Sequence, residues 1–493
     1  MRTLEQAILA GAKSALPLAR SDDYGFRGRI FMEAEVREDR LQARERALRG
    51  AAERAYAYLR EVEDRRVAPG KAAVEALQGF REPFPEGPAD PAGVVTLLAQ
   101  LAGPATVATT GRRYFGFVIG GALPASLAAS WMVSAWDQNT ALHAMSPAAA
   151  ELEEVALEWV CEALGLPKES EGGLVTCATT ANFTALVTAR QALLGRMGWS
   201  VADDGMFGAP PIQVVVGQEV HASVLKALRL AGFGSKRVTV VEADNQGRMR
   251  PDKLPRLDQN AIVCIQAGNV NSGSFDPARE ICLRAHEQNA WVHVDGAFGL
   301  WAAASPRYQH LLEGFDLADS WAVDAHKWPN INYDCGIVLV RDGMAMRSAM
   351  AISAAYLQPG LRREPMHHVP EASRRARGVE LWAGLKSLGR SGLANLIERT
   401  CAHAQRFAAG LQEAGFEILN DVVVNQVLVS FGSREKTLEV IRRVQEDGTC
   451  WCGGTVWQGK TAMRISVSSW ATTREDVDES LRAMVRMARE AGG

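Results

Sequence analysis

A mainly parallel α/β fold is what this sequence predicts, with a helical segment before it and an α+β domain after it. Three observations carry that expectation. Between about residues 170 and 345, short apolar β-branched runs alternate with helix-length stretches: IQVVV (212–216), RVTVV (237–241), AIVCI (261–265), WVHV (291–294), SWAV (320–323) and GIVLV (336–340). Runs without polar alternation suit strands covered on both faces, and helix-length connections suit parallel crossovers. Ahead of them, residues 1 to about 100 are charged and helical in pattern, and they close on the turn-rich FREPFPEGPADPAG. Beyond residue 390 come a long helix around 392–415, VVVNQVLVSF, a charged helix around 434–446, AMRISVSSW and a final helix from about 474. The expected domains are a helical segment over 1–100, a large α/β domain over 101–385 and a small α+β domain over 386–493.

Composition narrows the partners. The 493 residues are enough for a large core and a buried site. The 54 basic and 57 acidic residues nearly cancel, so no field favours nucleic acid or an anionic membrane, and a small-molecule partner is expected. No apolar run approaches the roughly 18 residues of a membrane span. The first residues lack the pattern of a secretory signal, so a cytoplasmic location is expected. Eight scattered cysteines, with Cys450 and Cys452 the closest pair, read as reduced thiols. The passage 354–380, AAYLQPGLRREPMHHVPEASRRARGVE, has no periodicity and reads as a mobile loop.

Ligands of open α/β sheets sit at the carboxyl ends of the strands, so the residues after each run are the ones to inspect. Asp295 follows WVHV, Asp324-Ala325-His326-Lys327-Trp328 follows SWAV, Gln218, Glu219 and His221 follow IQVVV, and Gly268-Asn269-Val270-Asn271-Ser272-Gly273 follows AIVCI. A lysine in apolar surroundings is disfavoured as an ammonium, and an imine is one use for it. Pyridoxal 5′-phosphate (PLP) asks for such a lysine, for a carboxylate against its pyridine nitrogen and for a flat neighbour; Lys327, Asp295 and His221 are the candidates. Its phosphate asks for N–H groups at a helix start. Gly172-Gly173-Leu174-Val175-Thr176-Cys177-Ala178-Thr179-Thr180, leading into ANFTALVTARQALLG, offers one.

Taken singly, each residue has a plainer reading. A lysine after a strand is commonly a surface residue, His221 a core histidine and Asp295 a helix cap. The order of all four segments, with DAHKW, outweighs those readings. A metal site of His293, Asp295 and His326 has suitable ligand types but leaves the lysine unexplained.

HVDGAFG followed by DSWAVDAHKWPNINYDCG resembles the signature of group II PLP-dependent amino acid decarboxylases, the relatives of aromatic-L-amino-acid, glutamate and histidine decarboxylases, here of bacterial type. The resemblance extends from RRYFGFVIGG (112–121) through SPAAAELEEVALEWV (146–160) and GNVNSGSFDP (268–277) to AMRISVSSWATTREDV (462–477). It implies a type I, aspartate-aminotransferase-like fold, and a homodimer with shared active sites and residues 1–100 packed on the partner. It also implies a PLP Schiff base at Lys327, ring stacking at His221, the pyridinium partner at Asp295 and Ala297 beneath the ring. Phosphate contacts would come from Ala178, Thr179, His326 and Asn269, with Gly389 reaching over from the partner chain.

The implied reaction is decarboxylation of an L-amino acid to its amine. Relatives carry, as proton donor, a tyrosine on a flexible loop contributed by the other subunit, and the matching GLRREPMHHVPEASRRARG contains none, so His367 or His368 is the expected donor. Without a donor the chemistry turns to an aldehyde. An aminotransferase, a carbon–carbon lyase and a non-catalytic PLP-binding protein are the other readings. Phe117 and Asn139 are expected to wall the substrate, and Gln138 and His143 make that wall more polar than in aromatic-amino-acid enzymes. Arg464 either braces the C-terminal domain through an ion pair or meets a carboxylate.

Overall fold

The computed structural model describes residues 22–352 and 362–491. Its contacts divide the chain into two units, one taking in the chain up to Glu61 with Pro69–Thr106, the other Val62–Ala68 with Val107–Gly493. The first unit is helical: α1 (Asp22–Glu61), α2 (Lys71–Ala76) and α3 (Pro91–Ala102). Asp90 starts α3 by accepting the Gly93 N–H, with Pro91 supplying a preset first turn. Arg54 of α1 donates to Thr96 of α3 at 2.8 Å.

The second unit begins with α4 (Pro124–Trp136) and α5 (Pro147–Leu164), then alternates: β1 (Glu171–Val175), α6 (Ala178–Arg196), β2 (Gln213–Gly217), α7 (Ala222–Leu230), β3 (Val238–Val241), β4 (Ala261–Gln266), α8 (Ala278–His286), β5 (Trp291–Asp295), β6 (Ser320–Asp324), β7 (Gly336–Val340) and α9 (Gly343–Met350). These strands form one sheet in the order β1-β7-β6-β5-β4-β2-β3, parallel from β6 to β3, with β7 antiparallel to both of its neighbours. Within β4, Ile262 and Cys264 enter one core while Val263 and Ile265 enter the other, which is why the strand reads as an unbroken apolar run. A second, four-stranded antiparallel sheet is built from β8 (Glu417–Ile418), β9 (Gln426–Ser430), β10 (Gly453–Trp457) and β11 (Lys460–Ser466). Helices α10 (Arg377–Glu413), α11 (Arg434–Asp447) and α12 (Arg474–Glu490) complete this region, and Thr473 and Asp476 form a capping box on α12.

The six expected strands are present to within a residue or two at their ends. β1 was not expected, because its EGGLV carries two glycines where strands favour β-branched residues. Both glycines answer to packing. A Cβ on Gly172 would lie 2.4 Å from the Val338 carbonyl oxygen, and one on Gly173 would lie 2.5 Å from Val369 Cγ1. Helix α10 starts fifteen residues before the expected 392 and runs across residue 386, bending at Gly389, whose φ is +59°.

Part of the expected mobile passage also differs. Residues 353–361 lie outside the described residues, but Pro365, Met366, His368, Val369 and Arg374 are buried. The reason is Glu153, a fully buried carboxylate on α5 that takes Arg374 at 2.6 Å and Arg363 at 3.3 Å. A charge so placed must be paired, and the pairing fixes the passage. All eight cysteines are unpaired, and among the described residues no helix is long and apolar enough to cross a membrane.

The close approach of β1 to β7 is testable. Gly172→Ala should destabilise the protein by about 1–3 kcal/mol, read as a lower urea midpoint at unchanged m-value. A variant as stable as the wild type would contradict that contact.

Candidate active site

Because β1, β2, β4, β5 and β6 run in one direction, their carboxyl ends share one edge of the sheet. In register, Asp295 pairs with Gln266 and Ala322, and Asp324 with Gly336. The segments after these ends carry the chemistry expected from the sequence.

Lys327 stands on the loop after β6. Its Nζ lies 3.0 Å from Asp324 Oδ2, and Asp324 is 2 % exposed. The loop is held from several sides. Asn330 Nδ2 donates to the Ser468 carbonyl at 2.9 Å, Trp470 N–H donates to Asn330 Oδ1 at 2.8 Å, and Trp328 Nε1 donates to Thr400 at 2.8 Å. Gly120 passes so close that a Cβ there would be 2.5 Å from the Lys327 carbonyl oxygen.

Asp295 ends β5, buried, and accepts the Ala297 N–H at 3.3 Å. Burial raises its pKa, opposed by the charges of His221 and Lys327. Ala297 in turn accepts the Asp324 N–H at 2.8 Å, so its backbone joins the two aspartates. His221 caps α7: its Nδ1 accepts the Ser223 N–H at 3.2 Å and lies 2.7 Å from the Ser223 hydroxyl. That bonding leaves the proton on Nε2. Burial holds the ring below its usual pKa, with Asp295, Lys327, Arg464 and Asp324 all acting on it, so the imidazole is neutral near pH 7.

His326 Nδ1 accepts the Cys335 N–H at 3.1 Å, its Nε2 is 3.6 Å from Asp324 Oδ1, and its ring stacks on Tyr333 at 4.3 Å. Burial lowers its pKa too. At the start of α6, the Ala178 N–H donates to Asp324 Oδ1 at 2.6 Å, with Thr179 next to it. Lys327, Asp295, His221, Ala297, His326 and the Ala178–Thr179 turn are thus gathered at one edge.

The other expected residues lie elsewhere or are otherwise engaged. Asn269 is at the edge, but its side chain braces its own loop, accepting the Asn271 and Ser272 N–H groups and donating to the Glu219 carbonyl. Asn139 accepts the Arg374 N–H at 3.1 Å and donates to Ser373 at 3.3 Å, and His143 meets Arg362 and Glu364, so that wall is tied to the 362–375 passage. Phe117 is 59 % exposed and stacks on Trp451 at 5.7 Å. Gly389 lines a separate cleft of about 280 Å³ beside Trp159 and Leu385, and its neighbour Arg390 pairs with Glu162.

The histidines expected to donate a proton lie, within this chain, away from Lys327. His368 is buried and bonded to Glu171 Oε2 at 2.9 Å, at the start of β1 and therefore at the opposite edge of the sheet. His367 lines a cavity of about 460 Å³ with Glu171, Arg347 and His368 at that same edge. Glu171, held down to about pKa 2 by His368 and Arg347, anchors them there.

Two further residues belong to the cluster: Asp324, which the sequence placed at a strand end without a role, and Arg464, which it left between two readings. Asp324 stands at the end of β6 as Asp295 does at the end of β5, a parallel that could have marked it. Arg464, on β11, reaches the Val270 carbonyl at 3.3 Å and lies 3.4 Å from Asn271 Oδ1. Among the described residues it has no carboxylate partner, so the expected bracing ion pair is missing.

Residues 105–433 match the pyridoxal-dependent decarboxylase conserved domain. The chain is 29% identical to aromatic-L-amino-acid decarboxylase from Drosophila lebanonensis over 369 residues, which is 70% of this chain and 90% of that one. It is also 29% identical to 4-hydroxyphenylacetaldehyde synthase from Rhodiola rosea over 370 residues, 70% of this chain and 74% of that one. A solved structure of Oryza sativa TDC with PLP and tryptamine superposes with a TM-score of 0.83 at 23% identity, covering 97% of this chain and 99% of that one. The fold is the type I fold of PLP enzymes.

His293 gives a pH test of the strand beneath the cluster. It is fully buried on β5 between Asn182 Oδ1 at 2.8 Å and Ser320 Oγ at 2.9 Å, and burial lowers its pKa to about 3. Below about pH 6.5 the unfolded chain takes up a proton that the folded one refuses, so this residue's contribution is full above that pH and is lost as pH falls toward 3. His293→Gln should be less stable than the wild type at neutral pH. The gap should close by about 1.4 kcal/mol per pH unit within that window, in paired urea melts. A pH-independent gap would contradict the neutral, buried ring.

Proposed function

The chain belongs to the pyridoxal-dependent decarboxylase family of PLP-dependent carboxy-lyases, and from that premise we propose that it removes the α-carboxyl group of an L-amino acid as carbon dioxide, with Lys327 holding the cofactor covalently. The observation that carries this reading is the meeting of Lys327, Asp295 and a neutral His221 at one water-poor sheet edge.

The residues fit the group. Asp295 is buried and, among the described residues, its carboxylate takes a single long hydrogen bond from Ala297, leaving acceptor capacity for a ring N–H. When bound, PLP supplies an electron sink for the pair that a departing carboxyl group leaves on the α-carbon. Asp295 keeps a proton on the ring nitrogen by electrostatic preference for the charged partner. His221, held by Ser223 and uncharged, offers a flat face without adding a competing cation. Thr179 and His326 stand at the α6 turn as donors for the phosphate. Arg464, half-buried and without an ion pair among the described residues, suits the carboxylate of the incoming amino acid.

A second outcome has its own support. His367 and His368 are held at the far edge of the sheet, so this chain does not bring them to Lys327 to return a proton. Uptake of oxygen and water in place of that proton would give an aldehyde, ammonia and hydrogen peroxide beside carbon dioxide, an outcome in keeping with the acetaldehyde-synthase relative. We infer further that the enzyme works as a homodimer in a reducing, cytoplasmic setting. Exposed Met132 and Met145 on the large unit and exposed Leu97 and Leu98 on the helical unit leave apolar surface for a second copy. Eight free cysteines suit the compartment.

Purified with PLP, the protein should show the visible band of a lysine-bound cofactor, and Lys327→Ala should lose the band and reduce turnover by orders of magnitude. A panel of L-amino acids assayed for carbon dioxide, amine and peroxide then separates the outcomes. Amine without peroxide supports decarboxylation, and peroxide with aldehyde supports the oxidative branch. A wild type without the band sinks the cofactor assignment. Arg464→Gln should raise KM about tenfold while changing kcat less, the pattern of lost ground-state binding. An unchanged KM would return Arg464 to a structural role.

A further inference from the structure

Three donors at the candidate phosphate site converge on one side chain of the chain itself. The Ala178 N–H, the first amide of α6, donates to Asp324 Oδ1 at 2.6 Å. His326 carries its ring proton on Nε2, because Nδ1 accepts the Cys335 N–H, and that Nε2 faces the same Oδ1 at 3.6 Å. The Lys327 ammonium sits 3.0 Å from Oδ2. We propose that Asp324 is an internal competitor of the cofactor: it engages the helix-start amide and the lysine that loading requires, and so sets cofactor affinity below what those donors alone would give. This inference rests on the cofactor reading above.

The physical case has three parts. An amide has one hydrogen, so the Ala178 N–H serves either the carboxylate or a phosphate oxygen. Carboxylate and phosphate carry the same sign, and the slot gives water little room to screen them: Asp324 is 2 % exposed, and a Cβ on Gly336 across the slot would lie 2.6 Å from Cys177 Cα. Finally, Lys327 reacts as the free amine, adding to the aldehyde carbon and releasing water. The 3.0 Å contact of its Nζ with Asp324 has to open before that addition. Loading therefore breaks an ion pair and a short hydrogen bond before it forms its own contacts.

The test uses the apoenzyme and two probes, inorganic phosphate followed by calorimetry and PLP followed by its visible band. Asp324→Asn keeps an oxygen for the Ala178 N–H but removes the charge. Its dissociation constants for both probes should fall at least about tenfold, a shift of ~1.4 kcal/mol, and its band should appear faster than in the wild type. Asp324→Ser, with the same loss of charge, guards against a variant that does not fold, and a thermal melt of each apoprotein checks folding. Folded variants that bind both probes no more tightly than the wild type overturn the inference while leaving the cofactor reading intact if the wild type forms its band. A wild type that forms no band removes the reading on which the inference stands.

Discussion

Charges at a sheet edge with little water must be paired, and most of the architecture around Lys327 follows from that need. Parallel strands deliver Asp295 and Asp324 side by side at their carboxyl ends, and burial raises the pKa of Asp295. Lys327 and Arg464 bring the opposing charge, one from the loop after β6 and the other from the second sheet. His221 stays neutral through burial and its bond to Ser223, which spares the edge another cation beside Lys327. Removing one member of such a set leaves its partner desolvated and alone, so these residues depend on one another more than any pairwise distance suggests.

The sheet order makes the cluster possible. β7 runs against its neighbours and lies between β6 and β1, so the turn after β1 and the start of α6 come beside Asp324. That adjacency demands bare backbone, since side chains on Gly172 or Gly336 would strike the facing strand or the Cys177 backbone. A helix start, with its unpaired amides, is thereby set against the lysine loop. The C-terminal region adds the remaining constraint: Ser468 and Trp470, just beyond β11, clasp Asn330 and so fix the loop that carries Lys327.

Much of this was legible in the sequence because the signal was local. A strand buried on both faces must be apolar throughout, so six strands could be read directly, and the positions just past their ends drew attention to Lys327, Asp295 and His221, which the fold brings to one edge. β1 was hidden because close packing against β7 and Val369 replaced β-branched residues with glycines. The early start of α10 was hidden because its first residue, Arg377, is held by Asp334 at 2.7 Å, a partner distant in sequence. Arg464 stayed between two readings and Asp324 without a role for a related reason: their meaning lies in which charges face them, and periodicity does not encode that. Histidines in a polar passage suggested acid–base chemistry, but their environment is set by Glu171, nearly two hundred residues away.

The same displacement bears on what the enzyme makes. Under the reading proposed above, the gathered residues would serve any outcome that begins with loss of the carboxyl group, because they would act on the cofactor and on the departing charge. What separates an amine from an aldehyde is whether a proton reaches the α-carbon before oxygen does. Within this chain His368 packs beside the middle of β1, its Cβ 3.3 Å from where a Cβ on Gly173 would stand, and its ring bonds to Glu171 at the strand's start, away from the edge that carries Lys327. Bringing that imidazole across would break its bond to Glu171 and uncover a carboxylate that His368 and Arg347 together hold charged. So large a rearrangement is a poor way to deliver a proton in every turnover. Within this chain, then, the residues gathered around Lys327 include neither of these histidines, and loss of the carboxyl group and return of a proton call on different parts of the fold.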